Sequence, residues 1–301
     1  MKSKNGIKKY SKQLLRFCVK LVVVLLLFAL HSCEKVEKPY LPFTPPPPTS
    51  DTIRKILVED YTGHTCLNCP RAAKVLHSLE SKLYPHQIIG LAVHGTGFAL
   101  PNSNYPEDFR TAVGNTYLVD FGIGALGLPM GMVNRKKKGS SYGIGDAEWK
   151  NAIDTIVNKA PNVYIEISNS YDNSTRKLNS EVKCTFLTSL TGNYNLVLLF
   201  TEDSIIAPQL DGNTKIDDYV HMHLLRAAIS DPYGIQVVTG AVSKGFVKTQ
   251  SFSYDVPQEF DYNKADVYPA LIPNIKYCGV VAFIYNQATK EIIQAEKAKI
   301  K

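Results

Sequence analysis

Residues 55–70 read Lys55-Ile-Leu-Val-Glu-Asp-Tyr-Thr-Gly-His-Thr-Cys-Leu-Asn-Cys-Pro70, an apolar stretch that leads into a Cys-x-x-Cys pair and a proline. The apolar stretch predicts a short buried strand. Pro70 is suited to the first turn of a helix, where its missing N–H costs little. Cys66 and Cys69 are therefore predicted to lie at a strand-to-helix junction.

This junction favours thiol chemistry. The N-terminus of a helix offers free N–H groups and the positive end of a dipole, and both stabilise a thiolate. Cys66 is then the attacking sulfur. Cys69 follows three residues later and can resolve a mixed disulfide. The pattern predicts a possible thiol–disulfide oxidoreductase.

Other interpretations of the cysteine pair stay open. The pair can be a permanent structural disulfide. A tetrahedral zinc site needs four ligands, and only His64 is nearby. Covalent haem attachment needs a histidine directly after the second cysteine, where Pro70 stands. We therefore expect neither a metal nor a cofactor, and the choice between enzyme and structural disulfide remains open.

The pattern around the cysteines alternates between strands and helices over residues 53–160. One helix is predicted to follow Pro70 and end at Pro85, and a buried strand follows at 88–93. A helix is expected near 106–119, and a strand is entered through Pro129. Asp146 is expected to cap a last helix. This order predicts an α/β unit with a mixed sheet. The apolar faces of the first and last helices are Ala72, Val75, Leu76, Leu79 and Leu83, and Trp149, Ala152, Ile153, Ile156 and Val157.

Residues 161–301 alternate with period two and are predicted to form strands only. Regular turns between about seven strands favour an immunoglobulin-like β-sandwich. Cys184 and Cys278 occupy inward positions, where they can form an inter-sheet disulfide or remain buried thiols. His221 and His223 are two apart and are predicted to share a strand face. The expected strands cover 163–168, 182–186, 194–200, 218–229, 246–255, 276–285 and 291–299.

The N-terminus predicts export and lipid anchoring. Seven basic residues and no acidic residue precede the apolar run 21–30, which is the pattern of a cleaved signal peptide. Leu30-His-Ser-Cys33 resembles a lipobox, so residues 1–32 are predicted to be removed and Cys33 to carry lipid that anchors the chain to a membrane. Residues 33–52 include the Pro45–Pro48 run and predict an extended tether.

Signal-peptide removal changes the charge balance. The full chain has a formal net charge of +7, from 34 basic and 27 acidic residues. Without residues 1–32, the basic and acidic residues are equal in number. A nucleic-acid-binding face needs clustered basic charge in the folded domain, so no nucleic-acid partner is expected.

Four motifs resemble the 28-kDa outer membrane protein family, which consists of bacterial outer-membrane lipoproteins. They span nearly the whole chain after the tether. The resemblance implies a thioredoxin-like domain followed by an immunoglobulin-like domain. The motifs are Val58-Glu-Asp-Tyr-Thr-Gly-His-Thr-Cys-Leu-Asn-Cys-Pro70, Leu128-Pro-Met-Gly-Met-Val-Asn-Arg135, Glu202-Asp-Ser-Ile-Ile-Ala-Pro-Gln209 and His221-Met-His-Leu-Leu-Arg-Ala-Ala228.

A thioredoxin-like domain implies further site residues. Pro129 would form a cis bond, pack against the two sulfurs and shape a substrate groove. Glu59 or Asp60 would be the buried carboxylate that accepts a proton, and the spacing does not choose between them.

The resemblance also implies a place in the cell envelope, facing the periplasm or the surface. The expected partner is another envelope or surface protein. The sequence leaves two functions open: disulfide exchange on such a protein, or a non-enzymatic receptor or adhesion role in which the Cys-x-x-Cys is a structural disulfide.

Overall fold

Strands are the commonest regular elements in residues 52–260 and 271–301, which the computed structural model describes, and helices are few. The predicted signal peptide, the predicted lipidation site Cys33 and nearly all of the predicted tether lie outside these residues. None of the helices in the described part of the chain is both long and apolar enough to cross a membrane.

Strands and helices alternate in the first part of the described chain, as the sequence predicts. The helix after Pro70 changes at Leu79–Leu83 into a single π-helical turn. The elements are β1 (Ile56–Thr62), α1 (Cys69–Ser78), β2 (Ile88–His94), α2 (Ala112–Asp120), β3 (Met130–Val133) and α3 (Trp149–Asp154).

Among the described residues from 163 onward, the regular elements are strands and one short 3₁₀ turn at Ile275–Tyr277. The strands are β4 (Val163–Asp172), β5 (Lys177–Phe186), β6 (Leu190–Thr191), β7 (Tyr194–Glu202), β8 (Ile205–Asp211), β9 (Thr214–His221), β10 (Leu224–Ala228), β11 (Ile235–Val238), β12 (Ala241–Val242), β13 (Val247–Asp255), β14 (Cys278–Asn286) and β15 (Ile292–Lys299).

An eight-stranded sheet joins the two halves of the chain. Its strand order is β15-β14-β7-β10-β2-β1-β3, and β11 also pairs with β7. The junction is a parallel pairing of β10 with β2, in which Leu224 lies opposite Ala92. The backbone N–H of Ala92 also donates to the carbonyl of His223 at 2.8 Å. Strands from both sides of the boundary predicted at residue 160 therefore share one sheet, and residues 51–301 form one compact unit.

The large sheet is covered on both faces. At its β1–β2–β3 end, α1 and α3 pack on one face, through Leu76 and Trp149 among others. On the opposite face, Tyr117 of α2 and Phe121 directly after it join a cluster that extends to β7 and β14. The antiparallel sheet β13-β5-β4 covers the other end and shares a buried cluster with β7 and β14.

Three predictions about local structure are wrong. The helix expected near 106–119 begins only at Ala112, because the Thr111 side chain caps it by accepting from the N–H of Gly114. Asp146 does not cap a helix; both of its carboxylate oxygens accept from the Arg71 guanidinium. The strand expected at 218–229 is two strands, because His223 has a φ of 60° and the chain turns there.

Candidate functional site

Cys66 and Cys69 form a disulfide between the end of β1 and the start of α1. Cys69 is the first residue of the helix, and its backbone N–H donates to the carbonyl of Cys66 at 3.2 Å. Pro70 lies in the first turn, where no N–H is needed. The apolar strand and the proline thus place the disulfide at the positive end of the helix dipole.

The hairpin formed by β8 and β9 covers this disulfide. Its backbone N–H groups at Leu210 and Gly212 donate to the carbonyls of His64 and Leu67 at 2.8 and 2.9 Å. The side-chain amide of buried Gln209 donates to the carbonyls of Gly63 and Cys66, at 3.3 Å each.

Burial beneath the hairpin is nearly complete for both cysteines. Cys66 is 3% exposed and Cys69 is 2% exposed. Neither Gln209 nor the hairpin was predicted to belong to the site, although Gln209 ends one of the quoted motifs. Their position depends on contacts more than 140 residues apart along the chain.

Glu59 and Asp60 project to opposite faces of β1, because side chains alternate along a strand. Glu59 forms a fully buried ion pair with Arg135, at 2.8 and 2.9 Å to two guanidinium nitrogens. The Arg135 guanidinium also packs over the rings of Tyr117, Phe121 and Phe283. Glu59 is thus occupied by a structural ion pair.

Asp60 is buried without such a partner. Its Oδ1 atom has no hydrogen-bond partner among the described residues. Burial, with a smaller contribution from Asp146, raises the pKa of this carboxyl to about 7, although His223 acts to lower it. Asp60 can therefore gain or lose a proton near neutral pH.

Asp60 and Cys69 both line a cavity of about 690 Å³. Further polar groups face it from β2 and β9, and they include the imidazoles of His94 and His221. Leu76 and Ala92 add apolar surface. A titratable carboxyl and one cysteine of the disulfide therefore line the same cavity.

Buried imidazoles surround Phe109 next to this cavity. The rings of His94 and His221 lie 4.9 Å from the Phe109 ring, and that of His64 lies 6.2 Å away. Burial lowers the pKa of all three histidines, to about 4 for His221. They are therefore uncharged at neutral pH.

His221 and His223 do not share a strand face, so that prediction is wrong. His221 ends β9 and packs on Phe109, whereas His223 lies in the turn before β10. The ring of His223 lies 3.0 Å from a carboxylate oxygen of Glu80 and 3.2 Å from one of Asp203. Although burial opposes the charge, these carboxylates raise the pKa of His223 to about 9.

Pro129 follows a cis peptide bond after Leu128. It directly precedes β3, whose first residue, Met130, pairs with Tyr61 of β1. Pro129 is therefore positioned near the end of the strand that leads to the cysteines.

Cys184 and Cys278 are both buried free thiols, so the disulfide alternative is absent from this structure. Cys184 lies on β5 of the three-stranded sheet and Cys278 on β14 of the large sheet. Both belong to the cluster that fills the space between the two sheets. Burial raises the pKa of each thiol to about 12.

No metal centre is evident within residues 52–260 and 271–301. No three His, Cys, Asp or Glu side chains there are grouped so that they could hold an ion.

Among known structures, HBP35 of Porphyromonas gingivalis is similar to this chain. The two share 16% identity and a TM-score of 0.60, over 82% of this chain and 76% of that one. A protein from Agrobacterium tumefaciens is 14% identical, with a TM-score of 0.45 over 83% of this chain and 96% of its own. The first likeness supports the fold alone. No curated protein sequence matches the chain.

The family comparison is more decisive. The model of outer membrane protein Omp28 matches residues 119–301, which is more than half of the chain. The matched part includes Pro129, Arg135, Gln209 and His223, whereas the two disulfide-bonded cysteines precede it. The chain therefore belongs to the family of outer membrane protein Omp28 and is an outer-membrane or envelope protein.

Proposed function

We propose that this chain is a lipid-anchored envelope protein that exchanges disulfides with another envelope protein. Residues 53–160 would be its thioredoxin-like part and residues 161–301 its immunoglobulin-like part. One observation carries the proposal: Asp60, buried with an unpartnered oxygen, lines the same cavity as Cys69. A carboxyl with a pKa near neutral is suited to move protons to and from a thiol.

The exchange would run in two steps. In the reduced protein, the Cys66 thiolate attacks one sulfur of a substrate disulfide, and the other substrate sulfur leaves as a thiolate. Asp60 then takes the proton of Cys69, whose thiolate attacks Sγ of Cys66 and breaks the mixed disulfide. The second substrate sulfur leaves and receives that proton from Asp60. The protein disulfide re-forms, and two electrons have passed to the substrate. Pro129 would shape the groove that receives the substrate.

The membrane attachment in this proposal rests on the N-terminal sequence. Cleavage before Cys33 and lipidation of that cysteine would anchor the chain. The proline-rich tether that follows would hold the folded part away from the lipid surface.

The reduction potential of the Cys66–Cys69 disulfide tests the proposal. We would equilibrate the full-length chain in detergent with thiol buffers and quantify the dithiol by alkylation. Disulfide oxidoreductases have potentials between about −270 and −120 mV, whereas structural disulfides usually lie below about −300 mV. A reduction potential between about −270 and −120 mV supports exchange, and a potential below about −300 mV rejects it.

Asp60→Asn adds a mechanistic readout. Because the amide accepts no proton from Cys69, the resolving step should slow by about tenfold or more, and mixed disulfides should accumulate. The exposed Asp218→Asn is the control. Unchanged kinetics in Asp60→Asn would rule out the proton-accepting role.

A second candidate function is a surface receptor or adhesion protein in which the disulfide is a permanent cross-link. The observation that favours it is the burial of both cysteines beneath the β8–β9 hairpin. Protease treatment of whole cells discriminates between the two. Release of the folded part would place it outside, away from periplasmic redox partners, whereas resistance would favour exchange.

A further inference from the structure

Only one of the two disulfide-bonded cysteines lines the cavity beside them. Cys69 lines this cavity, whereas Cys66 is not among the described residues that line it. On the other side, the β8–β9 hairpin is bonded to the backbone around Cys66. A folded partner cannot reach Cys66 unless the hairpin moves, but a small molecule can reach Cys69 through the cavity.

Buried polar atoms in this cavity lack partners. They are Oδ1 of Asp60, both ring nitrogens of His94 and Nε2 of His221. Each residue is at least nine-tenths buried, and each lines the cavity. Because buried polar groups are normally hydrogen-bonded, these atoms indicate a site for a ligand with donors and acceptors.

The cavity size and its charged groups narrow the ligand class. Its volume of about 690 Å³ lies within the range of small-molecule pockets. Lys74, Lys82 and Lys297 line it, as do Glu80 and Asp203. Within the protein, Glu80 pairs with Lys297 and His223, Asp203 pairs with His223, and Lys74 pairs with Asp211. Cations and anions together suit a molecule that carries both carboxylate and ammonium groups.

We propose that the cavity binds a low-molecular-weight thiol of amino-acid type, which reduces the disulfide by attack at Cys69. The inference rests on the proposed exchange function, since it supplies the electrons that exchange consumes. It gives the site two entrances: the cavity for the small thiol at Cys69, and the hairpin side for the protein partner at Cys66.

The reduction balances with two thiol molecules. Asp60 takes the proton of the first thiol, whose sulfur attacks Sγ of Cys69 and breaks the bond to Cys66. The Cys66 sulfur leaves with the electron pair and receives that proton. The second thiol attacks the bound small-molecule sulfur and transfers its proton to the Cys69 sulfur. The products are a small-molecule disulfide and the protein dithiol, so two electrons have entered the protein.

Single-cysteine variants test which sulfur is accessible. Cys66→Ser leaves only the Cys69 thiol of the pair, and Cys69→Ser leaves only Cys66. We would treat each full-length variant in detergent with glutathione disulfide and follow adduct formation by mass spectrometry. We expect Cys69 to react about tenfold faster than Cys66, after normalisation to the rates in urea.

A second experiment tests access through the cavity by blocking it. In the Cys66→Ser background, Ala73→Trp should suppress the reaction of Cys69, because Ala73 lines the cavity. The exposed Ala147→Trp is the matched control and should leave it unchanged. Equal rates at the two cysteines, a faster Cys66, or no effect of Ala73→Trp would overturn the inference.

These outcomes are separable from the proposed function. The rates are measured on single thiols that cannot re-form the disulfide, so they do not depend on its reduction potential. A potential below about −300 mV would reject exchange, even if Cys69 remained the accessible sulfur.

Discussion

The side-chain amide of Gln209 lies 3.3 Å from the carbonyl oxygen of Cys66 and joins the β8–β9 hairpin to the loop that carries the disulfide. The same amide donates to the carbonyl of Gly63. This contact explains why a Cys-x-x-Cys at a helix start is buried rather than exposed.

Gln209→Ala should loosen the hairpin over Cys66. Two buried carbonyls each lose one donor and keep a backbone donor, so the loss costs about 0.5–1.5 kcal/mol. In the Cys69→Ser background, we expect alkylation of Cys66 by iodoacetamide to accelerate about fivefold or more. Gln250→Ala, at a half-buried strand position away from the hairpin, is the control. If alkylation is no faster, the amide does not hold the hairpin closed.

Asp60→Asn should stabilise the protein at alkaline pH. The folded pKa is raised from 3.8 to about 7, so the native carboxyl binds its proton more tightly than the unfolded one. Stability is therefore lost as pH rises from about 4 through 7, and the cost is complete above that range. We expect a gain of about 3 kcal/mol at about pH 8.5 and little at about pH 4, measured by urea unfolding. A destabilised variant at about pH 8.5 would contradict this.

His223→Gln should destabilise most between about pH 4.5 and 6.5. The folded pKa of His223 is raised from 6.5 to about 9, so its contribution is complete below 6.5 and is lost as pH rises through 9. The Glu80 pKa is lowered from 4.5 to about 2, so its contribution is lost as pH falls through that range.

The expected loss for His223→Gln is about 2–3 kcal/mol near pH 6, from urea unfolding across pH. The exposed His77→Gln is the matched control and should change little. A difference between the wild type and His223→Gln that stays constant from about pH 6 to 10 would contradict the ion-pair explanation.

Glu59→Gln should be strongly destabilising. The substitution leaves the buried Arg135 guanidinium without its counter-charge, and breaking a buried ion pair in this way costs about 3–5 kcal/mol. Glu166→Gln removes one partner of the half-exposed pair with Lys183 and should cost at most about 1 kcal/mol. Equal unfolding midpoints for the two variants would contradict the expectation that the buried ion pair contributes more to stability than the half-exposed pair.

Cys184 and Cys278 should resist alkylation in the native protein, because both thiols are buried and their pKa values are raised. In denaturant without reductant, peptide mapping should find both labelled with iodoacetamide. The Cys66–Cys69 disulfide should remain unlabelled under the same conditions. A peptide that cross-links Cys184 to Cys278 would contradict the arrangement.

The predictions from sequence succeeded where the signal is local. An apolar run, a proline and the cysteine spacing were enough to place the disulfide at the start of α1. Period-two alternation was enough to identify strands such as β4 and β5.

The features that the sequence did not predict depend on contacts between residues that are far apart along the chain. The sequence spacing did not show whether Glu59 or Asp60 is the proton-accepting carboxylate. The two carboxylates differ because Arg135 fills only the face of β1 that carries Glu59. The hairpin cover depends on Gln209, more than 140 residues from Cys66. The turn at His223 depends on a non-glycine residue with positive φ, which period-two alternation does not reveal.

The pairing of Leu224 with Ala92 limits how the two halves of this chain can be recombined during evolution. A chain cut at residue 160 would keep β1, β2 and β3 but would leave the β2 edge open, with the N–H of Ala92 deprived of its acceptor. Open edges invite aggregation. Gene rearrangements that exchanged one half for an unrelated partner would therefore produce unfolded or aggregated protein, and the two halves are constrained to evolve together.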